Sequence, residues 1–362
     1  MKILYLAEWD AYSSNGVIRK IKAQFDTWLR MGVDARLVIV SPRGLGRAPA
    51  PQIQGERVHV VPYPVAEYGF GKFYKALALR KTKRLIREFS PDVIYYRQSS
   101  WTPGILGVLA LARAVVTEVN SNDVYEAHQY GWLKAHYHLA TRNWVIDRVR
   151  GFVCVGREVG AYYQRYGKPV AVVGNGFDTR SVQPRTPLAN ARPQLVFVGS
   201  AGQAWHGVDK LLAVADQLAD MDFHIVGAHI DSCPSNLKSY GYMTWEQLSE
   251  MYRRMDIGFA SLALHRLNIE EISPLKTREY LAYGIPVIGA YDDTDLGGCE
   301  CFLRLPNTET GVVDSVDLIR DFVFKWKGKA IDMNYVRARI DSSVKESERI
   351  GFMRQVLGQA GT

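Results

Sequence analysis

Cysteine is scarce in this chain: Cys154, Cys233, Cys299 and Cys301 are the only four in 362 residues. None forms a C-x-x-C pair, and no histidine cluster stands near Cys299 and Cys301. A disulfide scaffold and a structural zinc site are therefore excluded, and reduced thiols are expected. Long apolar runs are missing as well. The longest, Ile105 to Val116, is interrupted by Arg113 and falls well short of the ~20 residues of a membrane span. The opening stretch, Met1-Lys2-Ile3-Leu4-Tyr5-Leu6-Ala7-Glu8, is charged too early for a secretory signal. No tandem repeat and no low-complexity tract occurs. Neither sign of charge dominates: 45 Lys and Arg stand against 37 Asp and Glu, a formal charge of +8. So small an excess does not by itself imply nucleic acid, and it favours anionic partners such as phosphates or acidic lipid headgroups.

What the chain does have is an ordinary globular composition, 47% apolar and 23% charged, at a length that implies two domains. It opens on a continuous apolar run, Ile3 to Ala7, as expected of a strand buried on both faces. The small-residue loop Ser13-Ser14-Asn15-Gly16 follows. Ile18, Ile21, Phe25, Trp28 and Leu29 then recur at helical spacing up to Gly32, and Ala35 to Val40 is the next strand. Strand, helix, strand is the unit of a parallel sheet. Further strands are expected at 58–61, 93–96, 114–119, 151–155 and 171–173. After a proline-bearing, aperiodic linker the pattern restarts with strands at 195–198, 223–226, 257–260 and 286–288. Helices are expected there at 208–218, 245–255 and 274–283. The fold class is therefore α/β, with two doubly wound parallel-sheet domains. Ligands of such sheets sit beyond the carboxyl ends of the strands, so both domains are expected to face a shared cleft.

The richest stretch runs from Glu271 to Ile288. Glu271 and Glu279 are separated by seven residues, with Ser273-Pro274-Leu275-Lys276 between them. Pro274 suits the first turn of a helix. The backbone N–H groups from Ser273 to Lys276 would then face outward, ready for a phosphate or sugar oxygen. A carboxylate beside them can accept hydrogen bonds from sugar hydroxyls.

This string, with Glu279-Tyr280-Leu281-Ala282 and Gly284-Ile285-Pro286-Val287-Ile288, resembles the signature of retaining, nucleotide-sugar-dependent glycosyltransferases of the GT-B fold, glycosyltransferase family 4. Other motifs agree in order: Asn15-Gly16-Val17, Pro91 to Arg97, Gly174-Asn175-Gly176-Phe177-Asp178, and Phe197-Val198-Gly199 followed by Trp205 to Leu212. The resemblance implies a GT-B pair of Rossmann-like domains: 1–180 on the acceptor side, a linker at 181–193, a nucleotide-sugar domain at 194–343, and a C-terminal helix at 344–362 returning to the first domain. It implies that Glu271 approaches the donor sugar and Glu279 holds the ribose hydroxyls. Gly16, Gly199, Ser200, His206, Lys210, Ser273, Pro274, Leu275 and Lys276 complete the expected donor set.

The chain departs from the family at two loop positions. Ser200 and His206 stand where many members carry Arg and Lys on the diphosphate, so Lys210 and Lys276 are the expected substitutes, or the loop backbone takes more of the load. His206 has the alternative reading of a surface loop residue. The family's first-domain histidine is also missing, leaving Glu118 or Asn120 to serve near the reacting centre. Asp123, Glu126 and His128 are read as acceptor-side lining, against the alternative of a solvated loop and helix start. Asp292-Asp293-Thr294-Asp295 reads as a polar turn rather than a cation motif, so no metal is expected to be required.

The expected activity is transfer of a sugar, from a UDP-sugar by family frequency, to a hydroxyl of a glycan or lipid-linked acceptor with retention, in cell-surface polysaccharide or glycolipid synthesis. A catalytically silent nucleotide-sugar binder and a GT-B epimerase are the alternatives. No nucleic-acid partner is expected, since no base-reading motif occurs. The chain is expected to be cytoplasmic; Lys72 to Arg87, a basic amphipathic helix with seven Lys and Arg, reads either as a dock on the inner face of the membrane or as the basic solvated face of a core helix.

Overall fold

The computed structural model describes residues 1–13, 16–43, 49–50, 53–64, 71–129, 131–200 and 202–360. Two of the loop residues expected to matter, Asn15 and Ser14, lie outside them. Contacts divide the chain into two compact units, Met1–Val173 with Glu346–Thr362, and Gly174–Lys345.

The first unit is built on seven strands: β1 (Lys2–Glu8), β2 (Asp34–Arg43), β3 (Val58–Pro64), β4 (Val93–Arg97), β5 (Ala114–Val119), β6 (Gly151–Cys154) and β7 (Val170–Val172). All pair in parallel, in the order β3-β2-β1-β4-β5-β6-β7. Alternation along β1 divides the core in two. Ile3, Tyr5 and Ala7 join Ile18, Phe25 and Trp28 of α1 (Gly16–Arg30) on one face. Leu4 and Leu6 join the other face, with Leu79 and Ile86 of α2 (Gly71–Phe89), Ile105 of α3 (Ile105–Leu109) and Val145. The remaining helices are α4 (Asp123–Gln129), α5 (Trp132–Arg148), which carries Val145, and α6 (Arg157–Gln164).

The second unit repeats the plan. Its strands β8 (Gln194–Val198), β9 (Asp222–Val226), β10 (Leu237–Ser239), β11 (Ile257–Phe259), β13 (Val287–Gly289) and β15 (Phe302–Arg304) form a parallel sheet in the order β10-β9-β8-β11-β13-β15. A two-stranded ribbon, β12 (Glu271–Ile272) with β14 (Asp292–Asp293), stands apart from it. Leu195 and Phe197 face α7 (Val208–Gln217) and α10 (Val316–Trp326). Val196 faces α8 (Trp245–Tyr252), α9 (Leu275–Ala282) and α11 (Met333–Ile340). The last helix, α12 (Ser342–Gln359), begins in the second unit, and its Ile350, Met353 and Val356 enter the core of the first.

Each expected strand and helix is present, most within a residue or two of its expected ends. Asp292-Asp293 is a strand rather than part of a turn, because its backbone pairs with Glu271-Ile272. Strands β10 and β15 are three residues each, too short for alternation to register. All four cysteines are free thiols.

Candidate functional site

In each sheet the strand order reverses beside its first strand, β1 against β4 and β8 against β11, which makes the carboxyl ends there the natural ligand position. In the second unit, the loop after β8 and the start of α9 converge on that end.

Helix α9 is fixed from behind. The Tyr280 hydroxyl donates to the Val198 amide at 2.8 Å. The Arg278 guanidinium is fully buried and ion-paired with Asp293 and with Asp295 (2.6 Å), and Lys345 completes the set on Asp295 at 2.7 Å. The acidic run therefore serves as the counter-charge of Arg278. Gly258 of β11 admits the Tyr280 ring, whose Cδ2 would lie only 2.6 Å from a Cβ at that position. In front, Ser273 is buried, and its Oγ accepts from the Asn175 amide at 2.7 Å. The Gly174–Asp178 motif is thereby tied to the segment that enters α9.

Pro274 is the cap of this helix rather than part of its first turn: its backbone is extended (φ −76°, ψ 139°) and the helix starts at Leu275. The first-turn amides of α9 have no acceptors within the helix and form the positive end of its dipole. Lys276 sits in this turn. Its Nζ is shut off from solvent and has no hydrogen-bond partner among the described residues, lying 4.5 Å from the centre of the Phe197 ring and 5.9 Å from that of Trp205. Burial pushes the ammonium down to about 7, against the pull of Glu279. Glu279, almost one turn further on, accepts the Tyr252 hydroxyl at 2.7 Å. Glu271 lies on β12 and is buried.

The far end of the loop after β8 is tied to the segment after β11. Leu262 and Ala263 donate their amides to the His206 and Trp205 carbonyls at 3.1 and 3.2 Å. Gly207 turns left-handed at φ +69°, where a Cβ would strike Leu262 at 2.8 Å. His206 is not a surface residue: it is 4% exposed, its Nδ1 is 3.2 Å from the Ser200 carbonyl, and its ring packs on Trp205. Burial, then the Lys276 charge, pushes it down to about 4. It is a neutral strut at neutral pH, and Gly199 is a glycine because a Cβ there would meet this imidazole at 2.7 Å. Ser200 is exposed. Lys210 is not available as a substitute for the missing cations, because its buried ammonium donates to the Thr308 carbonyl at 2.6 Å, with Glu309 3.8 Å away. Of the cations expected in the donor set, Lys276 is left with an uncommitted charge among the described residues.

The first unit separates the residues that the sequence grouped. Glu118 is 2% exposed at the end of β5 and accepts from Tyr5 (2.8 Å), Lys20 (2.9 Å) and Arg97 (3.2 Å). Burial alone would raise its carboxyl, but the Lys20, Arg97 and Arg349 charges hold it well below the usual range. It is an internal counter-ion with no surface to offer a substrate. Lys20 carries its influence onward, donating to Asn120 Oδ1 at 2.5 Å. Burial pushes Lys20 down to about 8 against the pull of Glu118. Sequence reasoning missed this lysine, although it stands one helical turn past Gly16. Gly16 itself opens α1 with free space around it.

Asp123 also turns inward. It is gripped by both arms of Arg142 (2.7 and 2.8 Å), by His138 (2.6 Å) and by the Tyr163 hydroxyl (2.7 Å), so it anchors α4 on α5 and α6 instead of lining a site. Glu126 and His128 are exposed, with His128 Nδ1 2.7 Å from the Val124 carbonyl. Among the described residues, no group of three or more His, Cys, Asp or Glu side chains could hold a metal ion.

Residues 16–181 match the family model described as Glycosyltransferase Family 4. No curated protein sequence matches the chain. Among solved structures, it is similar to the lipopolysaccharide outer core galactosyltransferase WaaB in its apo form, with 12% identity, 98% of this chain and 99% of that one covered, and a TM-score of 0.67. It is likewise similar to HepE of Anabaena in complex with UDP and glucose, with 13% identity, 98% and 100% covered, and a TM-score of 0.66. An alpha-glucosyltransferase in complex with UDP-glucose and DNA containing an abasic site matches at 13% identity, 98% and 99% coverage and a TM-score of 0.62. The first unit thus resembles the Family 4 glycosyltransferases over residues 16–181, and the whole chain has the GT-B fold.

Proposed function

We propose that this glycosyltransferase moves a sugar from a nucleotide diphosphate sugar, with UDP as the carrier, to a hydroxyl of a glycan or lipid-linked acceptor, with retention at the anomeric carbon. The pathway we assign is cell-surface polysaccharide or glycolipid synthesis. The observation that carries the reading is the unpartnered Lys276 ammonium in the first turn of α9. A buried cation without a counter-ion is costly unless an anion arrives to pair with it. The amides of the same turn point the same way.

In this reaction the bond from the anomeric carbon to the diphosphate breaks as the acceptor oxygen bonds on the same face. The acceptor proton passes to the departing phosphate oxygen, so no separate base is needed. Lys276 and the α9 amides stabilise the charge that grows on the leaving group, the role preorganised dipoles and cations perform best. Glu279, steadied by Tyr252, takes the ribose hydroxyls, and Glu271 faces the sugar. We assign the diphosphate to these groups without a metal, since Asp293 and Asp295 already serve Arg278. Of the acceptor-side residues, Glu126 and His128 retain solvent-facing groups and are the ones we assign to acceptor contact.

The membrane reading rests on the exposed side of α2, where Phe73 (59% exposed) and Leu77 sit among Arg80, Lys81, Arg84 and Arg87. Among the described residues no helix is long and apolar enough to cross a membrane, so contact would be at the surface.

The deciding experiment is the melting temperature with UDP, GDP, ADP and CMP for the wild type, Glu279→Ala and Lys276→Ala. Ligand at roughly a hundred times its dissociation constant adds about 2.7 kcal/mol. That is a rise on the order of 5–10 °C in a unit of this size. One diphosphate stabilising the wild type and neither variant supports the donor site, and turnover with the matching sugar then establishes transfer. Donor binding without turnover on any acceptor supports the silent relative, and no shift with any nucleotide refutes both.

A further inference from the structure

At the amino ends of the strands, the edge of the first sheet opposite Glu118 and Asn120, lies a cavity of about 520 Å³. It opens below β5, β6 and β7, three neighbouring strands, and each brings a cation from the residue or two before it: Arg113, Arg150 and Lys168. Arg148, in the last turn of α5, is the fourth, and Asp147 is the one carboxylate in the lining.

Basic residues near a helix end are often there for the exposed carbonyls. Here that task is already done. Lys168 Nζ donates to the carbonyls of Ile146 (2.6 Å), Asp147 (3.1 Å) and Val149 (2.6 Å), which closes the end of α5. The guanidinium groups of Arg113, Arg148 and Arg150 are exposed, and among the described residues they have neither an ion pair nor a hydrogen bond. Three arginines from two segments, Arg113 before β5 and Arg148 with Arg150 between α5 and β6, thus border one concave space of a size typical of small-molecule sites, with their charge unanswered among the described residues.

We propose that this cavity is a second anion site, which takes a compact ligand with two or more adjacent phosphates on Arg113, Arg148 and Arg150. Guanidinium forks match phosphate oxygens in pairs, and a clustered charge suits an oligophosphate better than a chain of widely spaced carboxylates. The site does not depend on the donor reading, because none of its residues belongs to the donor set.

The test is calorimetric titration of inorganic tripolyphosphate into the Lys276→Met protein, which lacks the donor-side ammonium, and into the same protein with Arg113→Ser, Arg148→Ser and Arg150→Ser added. The substituted arginines are exposed, so the ligand-free melting temperature should be unchanged. Binding is expected in the first protein and should weaken at least a hundredfold in the second, since each charge-assisted contact is worth about tenfold or more. Undiminished binding after the triple substitution, or none once Lys276 is replaced, overturns the proposal. Co-sedimentation with phosphatidylcholine vesicles that contain a long-chain alkyl diphosphate separates the sources: sedimentation lost with the three arginines assigns the phosphates to a lipid surface, while tripolyphosphate binding without sedimentation assigns them to a soluble ligand.

Discussion

Replacing Lys276 by methionine removes a charge and keeps the length of the side chain. In the unliganded protein the ammonium is held down at about 7, against the 10.5 of an ordinary lysine. At 1.36 kcal/mol per pH unit this gap corresponds to a burial cost of at most about 5 kcal/mol. The sign follows from proton counting. Between about pH 7 and 10.5 the unfolded chain binds the proton and the folded chain does not, so stability rises with pH across that window. Below pH 7 both states are protonated and the cost is felt in full. Lys276→Met should therefore stabilise the empty protein at pH 6 and flatten its rise in stability towards pH 10. Binding should show the converse. A bound diphosphate favours the charged lysine, so at pH 8, where about nine-tenths of the free protein has a neutral Lys276, a UDP-sugar should bind with uptake of nearly one proton. At pH 6 the uptake should nearly vanish. Calorimetry in two buffers of different ionisation enthalpy reads this directly. In Lys276→Met the uptake should disappear and affinity should fall roughly ten- to a hundredfold, the worth of one charge-assisted hydrogen bond. Equal proton uptake in variant and wild type, or none in the wild type at pH 8, would refute the assignment of the diphosphate to this ammonium.

Glu118→Gln should behave as a stability defect, since it leaves Lys20 and Arg97 buried without their counter-ion; a loss of about 3–5 kcal/mol in urea unfolding is expected, and normal stability with lost turnover would return Glu118 to a catalytic role. Gly258→Ala should destabilise the second unit by about 1–3 kcal/mol through overlap with the Tyr280 ring, checked by thermal unfolding against the harmless Gly16→Ala. Burial opposes ionisation of Asp123, but its bonds to His138 and Arg142 hold the carboxyl well below its ordinary value. The stability it contributes is complete above pH 4 and is lost as the pH falls below that, so Asp123→Ala should shrink the acid-induced loss of stability in the first unit.

Much of the fold is legible in the sequence because buried parallel strands must be apolar over several successive residues, whatever surrounds them. Ile3 to Ala7 and Leu195 to Val198 announce two sheets on that ground alone, and the Glu271–Glu279 spacing on either side of Pro274 marks the helix that matters. Short elements escape: β10 and β15 span three residues each, and the β12–β14 ribbon depends on backbone pairing across about twenty residues of chain.

The fate of the polar residues is where sequence reasoning stops. Glu118, Asp123, Lys210 and Lys276 are all charged residues beside expected strand or helix ends, and nothing local separates them. Tertiary packing brings Lys20 and Arg97 to the first, Arg142 to the second and a loop carbonyl to the third, and among the described residues it brings no hydrogen-bond partner to Lys276. The physical reason is that burial and partnership are properties of three-dimensional neighbours up to about a hundred residues away, whereas periodicity reports only on the nearest turn of chain. The sequence by itself determined the two α/β sheets and their order along the chain, and it carries the resemblance to Family 4. Only the tertiary structure decided which charges are internal counter-ions and which, Lys276 and the arginines of the first unit's cavity among them, are left without one among the described residues.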